Sequence, residues 1–148
     1  MLYNRVLITG ANGLLGGKIS EQAGGSWEVT QTDIHPEPRI SIPGVPYVTA
    51  DITDEKQCRG LFARGFDCVI NTAAMTDVDG CERQRDRAFS VNVLGAETIA
   101  RLCGEAGAAL VHLSSDYVFD GKDGPYTEED RPRPVSYYGW TKLESEKR

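Results

Sequence analysis

The chain has 148 residues, 40% of them hydrophobic and 26% charged, with a formal net charge of −6, which fits one soluble globular domain. An acidic chain offers no broad basic face to neutralise phosphates, so electrostatic binding of nucleic acid is excluded; no apolar run approaches the roughly 18 residues of a membrane span, and MLYNRVLITG is too short an apolar start for a signal peptide. The four cysteines, Cys58, Cys68, Cys81 and Cys103, form no C-x-x-C pair and sit near no histidine cluster, so reduced thiols in a cytoplasmic protein are expected rather than a zinc or redox site.

In chain order, RVLITG (5–10) is a short buried-strand pattern ending in glycine. GLLGGKISEQAGG (13–25) reads as a helix with Leu14, Leu15 and Ile19 on one face, stopped by Gly24 and Gly25. WEVTQTD (27–33) is a second strand, HPEPRISIPGVP (35–46) a Pro-rich loop and YVTAD (47–51) a third strand. Thr53 or Asp54 can cap a helix over EKQCRGLFARG (55–65). FDCVINTAA (66–74) is a fourth strand running into a small-residue loop, and helical spacing of Phe89, Val93, Ala96, Ile99 and Cys103 predicts a helix over 86–103. AALVHLSS (108–115) is a fifth strand, followed by a Gly-, Pro- and Asp-rich loop and a last helix from about Ser136. Strands apolar on both sides, alternating with helices, predict an α/β fold over residues 1–148. It is a Rossmann-type doubly wound parallel sheet with helices on both faces.

TGANGLLG places Gly10, Gly13 and Gly16 between the first strand and first helix. Gly10 allows the tight turn, Gly13 removes a side chain where a pyrophosphate would meet the helix N-terminus, and Gly16 lets helix and sheet approach. The N–H groups and dipole there favour an anion. Asp33 ends the second strand, 20 positions after Gly13, where a carboxylate bonds adenine-ribose hydroxyls and disfavours a 2′-phosphate. His35 and Arg39 follow it as loop charges. Asp51 and Ile52 are expected beside the adenine, with a loop or capping role as the alternative for Asp51. Ala74, Met75 and Thr76 follow the fourth strand and would border the cofactor. The expected cofactor is NADH or NADPH.

Carbonyl reduction also needs a proton donor. A free phenol has a pKa near 10, and a neighbouring ammonium favours its ionised form. Tyr138 and Lys142 are four apart and share a helix face, whereas Tyr137 pairs with Thr141. Tyr138 is therefore the expected acid, acidified by Lys142. Ser115, placed at the end of the fifth strand, could bond a substrate carbonyl; a strand-end turn role is the alternative. Asn92 is a poor helix former in mid-helix, His112 reads as a satisfied core histidine, and Trp140 as a packing residue or a partner contact.

The glycine spacing with Tyr138-x-x-x-Lys142 resembles the extended short-chain dehydrogenase/reductases. NTAAMTDVDGCE (71–82), FSVNVLG (89–95) and above all SSDYVFDG (114–121) with PYTEEDRPRPVSYYGWTKLESE (125–146) are similar to dTDP-4-dehydrorhamnose reductases. The resemblance implies reduction of a nucleotide-linked 4-keto deoxysugar, with Tyr138, Lys142 and Ser115 catalytic. It adds Asn12, Leu14 and Leu15 to the cofactor contacts, lets Lys142 and Tyr138 reach the nicotinamide ribose, and offers Asn92 either a water relay to the lysine or a backbone-bonding role. Family members are about twice as long, so a substrate-binding part outside residues 1–148 is expected, and the chain alone is expected to be inactive. A homo-oligomer is compatible with the pattern. A non-catalytic binding subunit, like the regulatory subunit of some methionine adenosyltransferases, and a nucleotide-sugar epimerase or dehydratase are the alternatives. Retained Tyr138, Lys142 and Ser115 count against the first, and SSDYVFDG against the second.

Overall fold

The structure, a computed structural model, describes residues 4–23 and 25–148. Five parallel strands form one sheet: β1 (Arg5–Thr9), β2 (Glu28–Asp33), β3 (Tyr47–Thr49), β4 (Cys68–Asn71) and β5 (Ala109–His112). Their order is β3-β2-β1-β4-β5, so the winding direction reverses between β1 and β4. Crevices for ligands open at such a reversal, beyond the carboxyl ends of the strands.

Side-chain alternation explains the strand sequences. Leu7 and Val69 pack with Cys58, Leu61, Phe62, Ile99 and Leu102 on one face. Val6, Ile8, Cys68 and Ile70 pack with Ala23 and Val29 on the other. Both faces are covered, so successive apolar residues in β1 and β4 are buried on alternate sides of the sheet. Complete burial of one such side chain stabilises the fold by about 1.5–3 kcal/mol. The helices that supply the cover are α1 (Leu14–Ala23), α2 (Glu55–Phe62) and α5 (Ala96–Ala106). Asp54, not Thr53, caps α2, its carboxylate accepting from Gln57 N. Gly107 ends α5 at φ 67. The predicted stop of the first helix at Gly24 lies outside the described residues.

Several elements differ from the sequence expectation, among them the fifth strand, which ends at His112 rather than Ser115. The strand predicted over 66–74 pairs only at Cys68–Asn71, because the chain then turns over the glycine loop. The stretch after Thr76 holds an unexpected helix, α3 (Val78–Arg83). Gly80 conceals it: a Cβ there would lie 2.7 Å from the carboxyl carbon of Asp77, the residue that caps α3. The single helix predicted over 86–103 is α4 (Arg85–Phe89), a π-helical segment (Ser90–Gly95) and α5 in succession. The wider π turn re-aims Asn92. The last helix, α6 (Tyr137–Glu146), starts from Ser136, whose side chain accepts from Gly139 N, and packs on α3, α4 and the π segment. Among the described residues no helix is long and apolar enough to cross a membrane, and no cluster fit to hold a metal ion occurs.

Candidate active site

A groove of about 760 Å³ runs along the carboxyl edge of β1, β2 and β4. Its first wall is the glycine turn. Gly10 adopts φ 67, and a Cβ there would lie 2.6 Å from Ala73 N. A Cβ on Gly16 would strike Gly10 O and stand 2.7 Å from Thr72 Oγ1. Both glycines are therefore demanded by the protein's own packing. Gly13 is different: it is exposed, and a Cβ would meet only Gly10 O, at 3.1 Å. What Gly13 leaves bare is the groove itself, at the N-terminus of α1. Glycine has no side chain with which to cap that helix, and its first turn carries no acid, so the amides of Leu14, Leu15 and Gly16 are suited to an anionic ligand.

Asp33 lies at the end of β2, where its carboxylate accepts from Asn12 N (3.1 Å) and His35 N (3.3 Å). The Pro-rich loop is pinned from the glycine turn. Asn12 Nδ2 donates to Glu37 O and to the Tyr47 hydroxyl, and Asn12 Oδ1 accepts from Arg39 N at 2.6 Å. Asn12 thus faces the groove while its side chain is occupied with the loop. Asp51 also lines the groove, but its carboxylate closes a local turn by accepting from Thr53 N and Oγ1, both at 2.8 Å. Ile52, Ala74 and Thr76 line the groove as expected. Met75 does not; its side chain packs behind the groove with Cys81, Ala88 and Tyr138.

Asn92 is the reason for that placement. It is 1% exposed, accepts from Met75 N at 2.7 Å, and donates to Met75 O and Thr141 Oγ1, both at 3.0 Å. It is a backbone-bonding core residue that joins the β4 loop to α6. Gly139 serves the same approach from the other side: a Cβ there would overlap Tyr117 O in the 3-10 turn Asp116–Val118.

Tyr138 and Lys142 both reach the groove from α6 and are 9% and 3% exposed. Burial pushes the Tyr138 phenol above its ordinary value, and the nearby Ser115 side chain opposes this. Desolvation is the dominant influence on the phenol in this geometry and outweighs the acidification expected from its spacing to Lys142. Burial likewise pushes the Lys142 ammonium down to about 8, against a raising influence of Glu146. Ser115 lies three residues beyond the end of β5, outside the groove lining. Its Oγ accepts from Tyr117 N (3.2 Å) and caps the 3-10 turn, so it combines a turn role with proximity to Tyr138. Trp140 packs between Phe89 and Tyr137.

Several groove residues escaped the sequence reading, notably Thr32, Arg87 and Ser90. Thr32 Oγ1 is buried without a hydrogen-bond partner among the described residues. Arg87 and Ser90 come from α4 and the π segment, whose apolar spacing gave no sign that one side borders the crevice.

A 3-2-1-4-5 parallel sheet with a bare glycine turn at its switch point, closed by a Tyr-x-x-x-Lys helix, defines a Rossmann-type domain of the short-chain dehydrogenase/reductase kind. Residues 4–148 match the RmlD substrate binding domain family, and the chain belongs to that family. It is 36% identical over 148 residues to dTDP-4-dehydrorhamnose reductase of Mycolicibacterium smegmatis, covering 99% of this chain and 41% of that protein. It is 38% identical to methionine adenosyltransferase 2 subunit beta of Rattus norvegicus, covering 97% of this chain and 42% of that one. The crystal structure of dTDP-4-dehydrorhamnose reductase from Bacillus anthracis in complex with NADP superposes with a TM-score of 0.84 at 33% identity, covering 99% of this chain and 49% of the other. The chain thus spans about half or less of the length of these relatives.

Proposed function

We propose that this domain binds NADH or NADPH and serves the reduction of a nucleotide-linked 4-keto deoxysugar, as in dTDP-4-dehydrorhamnose reductases. One observation carries the reading: Tyr138 and Lys142 enter the same groove whose other end is the bare glycine turn. The diphosphate would lie over Gly10, Gly13 and Gly16 against the amides of Leu14 and Leu15. Asp33 would bond the adenine ribose, with Asn12 holding the adjoining loop, and Asp51 and Ile52 would flank the adenine. Ala74 and Thr76 would border the nicotinamide half, with Met75 held outside the groove by Asn92. The fit is supported by Gly13, which is exposed at the groove and whose packing is less crowded than that of Gly10 and Gly16. Asp33 favours NADH.

When bound, the reduced nicotinamide supplies a hydride. The chain supplies the proton. The Tyr138 phenol is protonated in the resting site and would give its proton to the carbonyl oxygen. The Lys142 ammonium, charged below about pH 8, then stabilises the phenolate left behind, and Ser115 offers a hydroxyl beside it. Four free, buried thiols support a reducing, cytoplasmic setting, and the net charge of −6 supports small-molecule rather than nucleic-acid partners.

The identity to the methionine adenosyltransferase subunit favours a second reading, a cofactor-binding regulatory module. Following NADH absorbance with dTDP-4-dehydro-L-rhamnose separates the two. In a full-length version that includes the substrate-binding part, turnover that disappears in Tyr138→Phe supports the reductase; cofactor binding without turnover supports the module.

A further inference from the structure

The final residues of three neighbouring strands are polar: Thr9 of β1, Asn71 of β4 and His112 of β5. They are direct cross-strand partners, Thr9 beside Asn71 and Asn71 beside His112. By side-chain alternation they share the face of Leu7, Val69 and Leu110. A line of hydrogen bonds runs through them. Thr9 Oγ1 donates to Asn71 Oδ1 at 2.5 Å, Asn71 Nδ2 lies 3.1 Å from His112 Nδ1, and His112 Nε2 lies 2.9 Å from Ser145 Oγ. Ser145 Oγ donates to Lys142 O at 2.7 Å. Thr9, Asn71 and Ser145 are 0%, 1% and 6% exposed.

The donors fix the protonation of the ring. The Ser145 hydroxyl hydrogen is committed to Lys142 O, so Ser145 Oγ must accept from the imidazole. Asn71 Oδ1 is committed to Thr9, so the Asn71 amide nitrogen must donate to the imidazole. One form satisfies both: neutral, with hydrogen on Nε2 and a lone pair on Nδ1. A second ring proton would set Nδ1–H against an N–H donor. It would also add a charge facing the Lys142 ammonium; β4 offers the ring only a neutral amide, and the titratable Cys103 of α5 on this face is held neutral by burial, its pKa pushed up to about 11. No carboxylate forms an ion pair with the ring among the described residues, and Glu146 is bonded to Ser114 instead.

Resting on the proposed function, we infer that His112 is a positioning residue, a neutral Nε2–H link that ties the turn of α6 carrying Lys142 to the strand that enters the glycine turn. It thereby joins the two ends of the groove through the sheet edge. Burial and the neighbouring Lys142 hold the ring's pKa at about 4, consistent with a group kept uncharged through the neutral range.

Long-range proton–nitrogen NMR of the chain reads the link directly. The expected result is a neutral Nε2–H tautomer at pH 7 that stays neutral at pH 5.5. An Nδ1–H tautomer, or titration near the ordinary histidine pKa, overturns the inference whether or not a nicotinamide binds. Three variants add the positioning readout. His112→Gln keeps a donor toward Ser145, whereas His112→Asn and Ser145→Ala do not. In the latter two, Lys142 should titrate above its present value of about 8, and NADH affinity should fall about fivefold to tenfold, the effect of one buried hydrogen bond. His112→Gln should preserve the Lys142 titration. An unchanged Lys142 titration in both His112→Asn and Ser145→Ala would show His112 to be mere packing. Absence of NADH binding by the unaltered chain would sink the proposed function, while the tautomer would still decide the link.

Discussion

The two ends of the groove are built by opposite means. At the glycine turn the surface exists because atoms are missing: Gly10 and Gly16 have no room for a Cβ, and Gly13 leaves the helix end bare. At α6 the surface exists because buried side chains are held in place, through Asn92 to Met75 and Thr141 and through His112 to Asn71 and Ser145. The first end should be damaged by any added atom and the second by any removed polar partner. A close approach of backbone to backbone cannot relax around a methyl group, while a buried donor left alone loses its hydrogen bond outright.

The largest effect should come from Tyr138→Phe, which removes the hydroxyl and little volume: turnover of a full-length version should fall by about 10²-fold to 10⁴-fold, with NADH affinity preserved in calorimetry. Gly16→Ala and Gly139→Ala sharpen the contrast from the crowded side. Each should lower the unfolding free energy by about 1–3 kcal/mol, the usual cost of overpacking, measured by urea denaturation. Gly16→Ala should also weaken NADH binding. A harmless Gly16→Ala would mean that the helix and sheet do not approach as described. Asp33→Ser should shift the NADPH-to-NADH affinity ratio upward by about tenfold, since one unfavourable charge contact of about 1.4 kcal/mol is relieved.

The smallest effects are those of pH. Lys142 is charged below about pH 8 and neutral above it, so NADH affinity should decline as pH rises through 8, and Lys142→Met should remove that decline. His112 has a folded pKa of about 4 against an ordinary 6.5. Between these values only the unfolded chain binds the proton, so stability should fall as pH drops from 6.5 toward 4. Comparing urea unfolding at pH 7 and pH 5 in the unaltered chain and in His112→Gln isolates this contribution before most carboxylates titrate.

The subtractive end was legible in the sequence and the additive end only in part. Glycine spacing, the apolar strands and the Asp33 position are local signals with local causes, and they located the glycine turn and one wall of the groove, whereas the strand order was not legible. Tyr138 and Lys142 were legible for the same reason, being one helical turn apart. The partners that hold them are separated by 49 residues (Asn92 and Thr141) or 33 (His112 and Ser145), and no local pattern reports such a contact. Gly80 hid α3 because its reason is the Asp77 carboxylate folded over it, and Ser115 was misplaced on β5 because the strand stops pairing at His112. Acidification of Tyr138 was inferred from spacing alone; burial, which spacing does not reveal, reverses it.

Titrating NADH into the chain in a calorimeter at pH 7 tests most directly whether the groove is a dinucleotide site. Saturable one-to-one binding, weakened in Gly16→Ala, is expected. A chain that is folded by circular dichroism yet gives no saturable heat with either NADH or NADPH would contradict it.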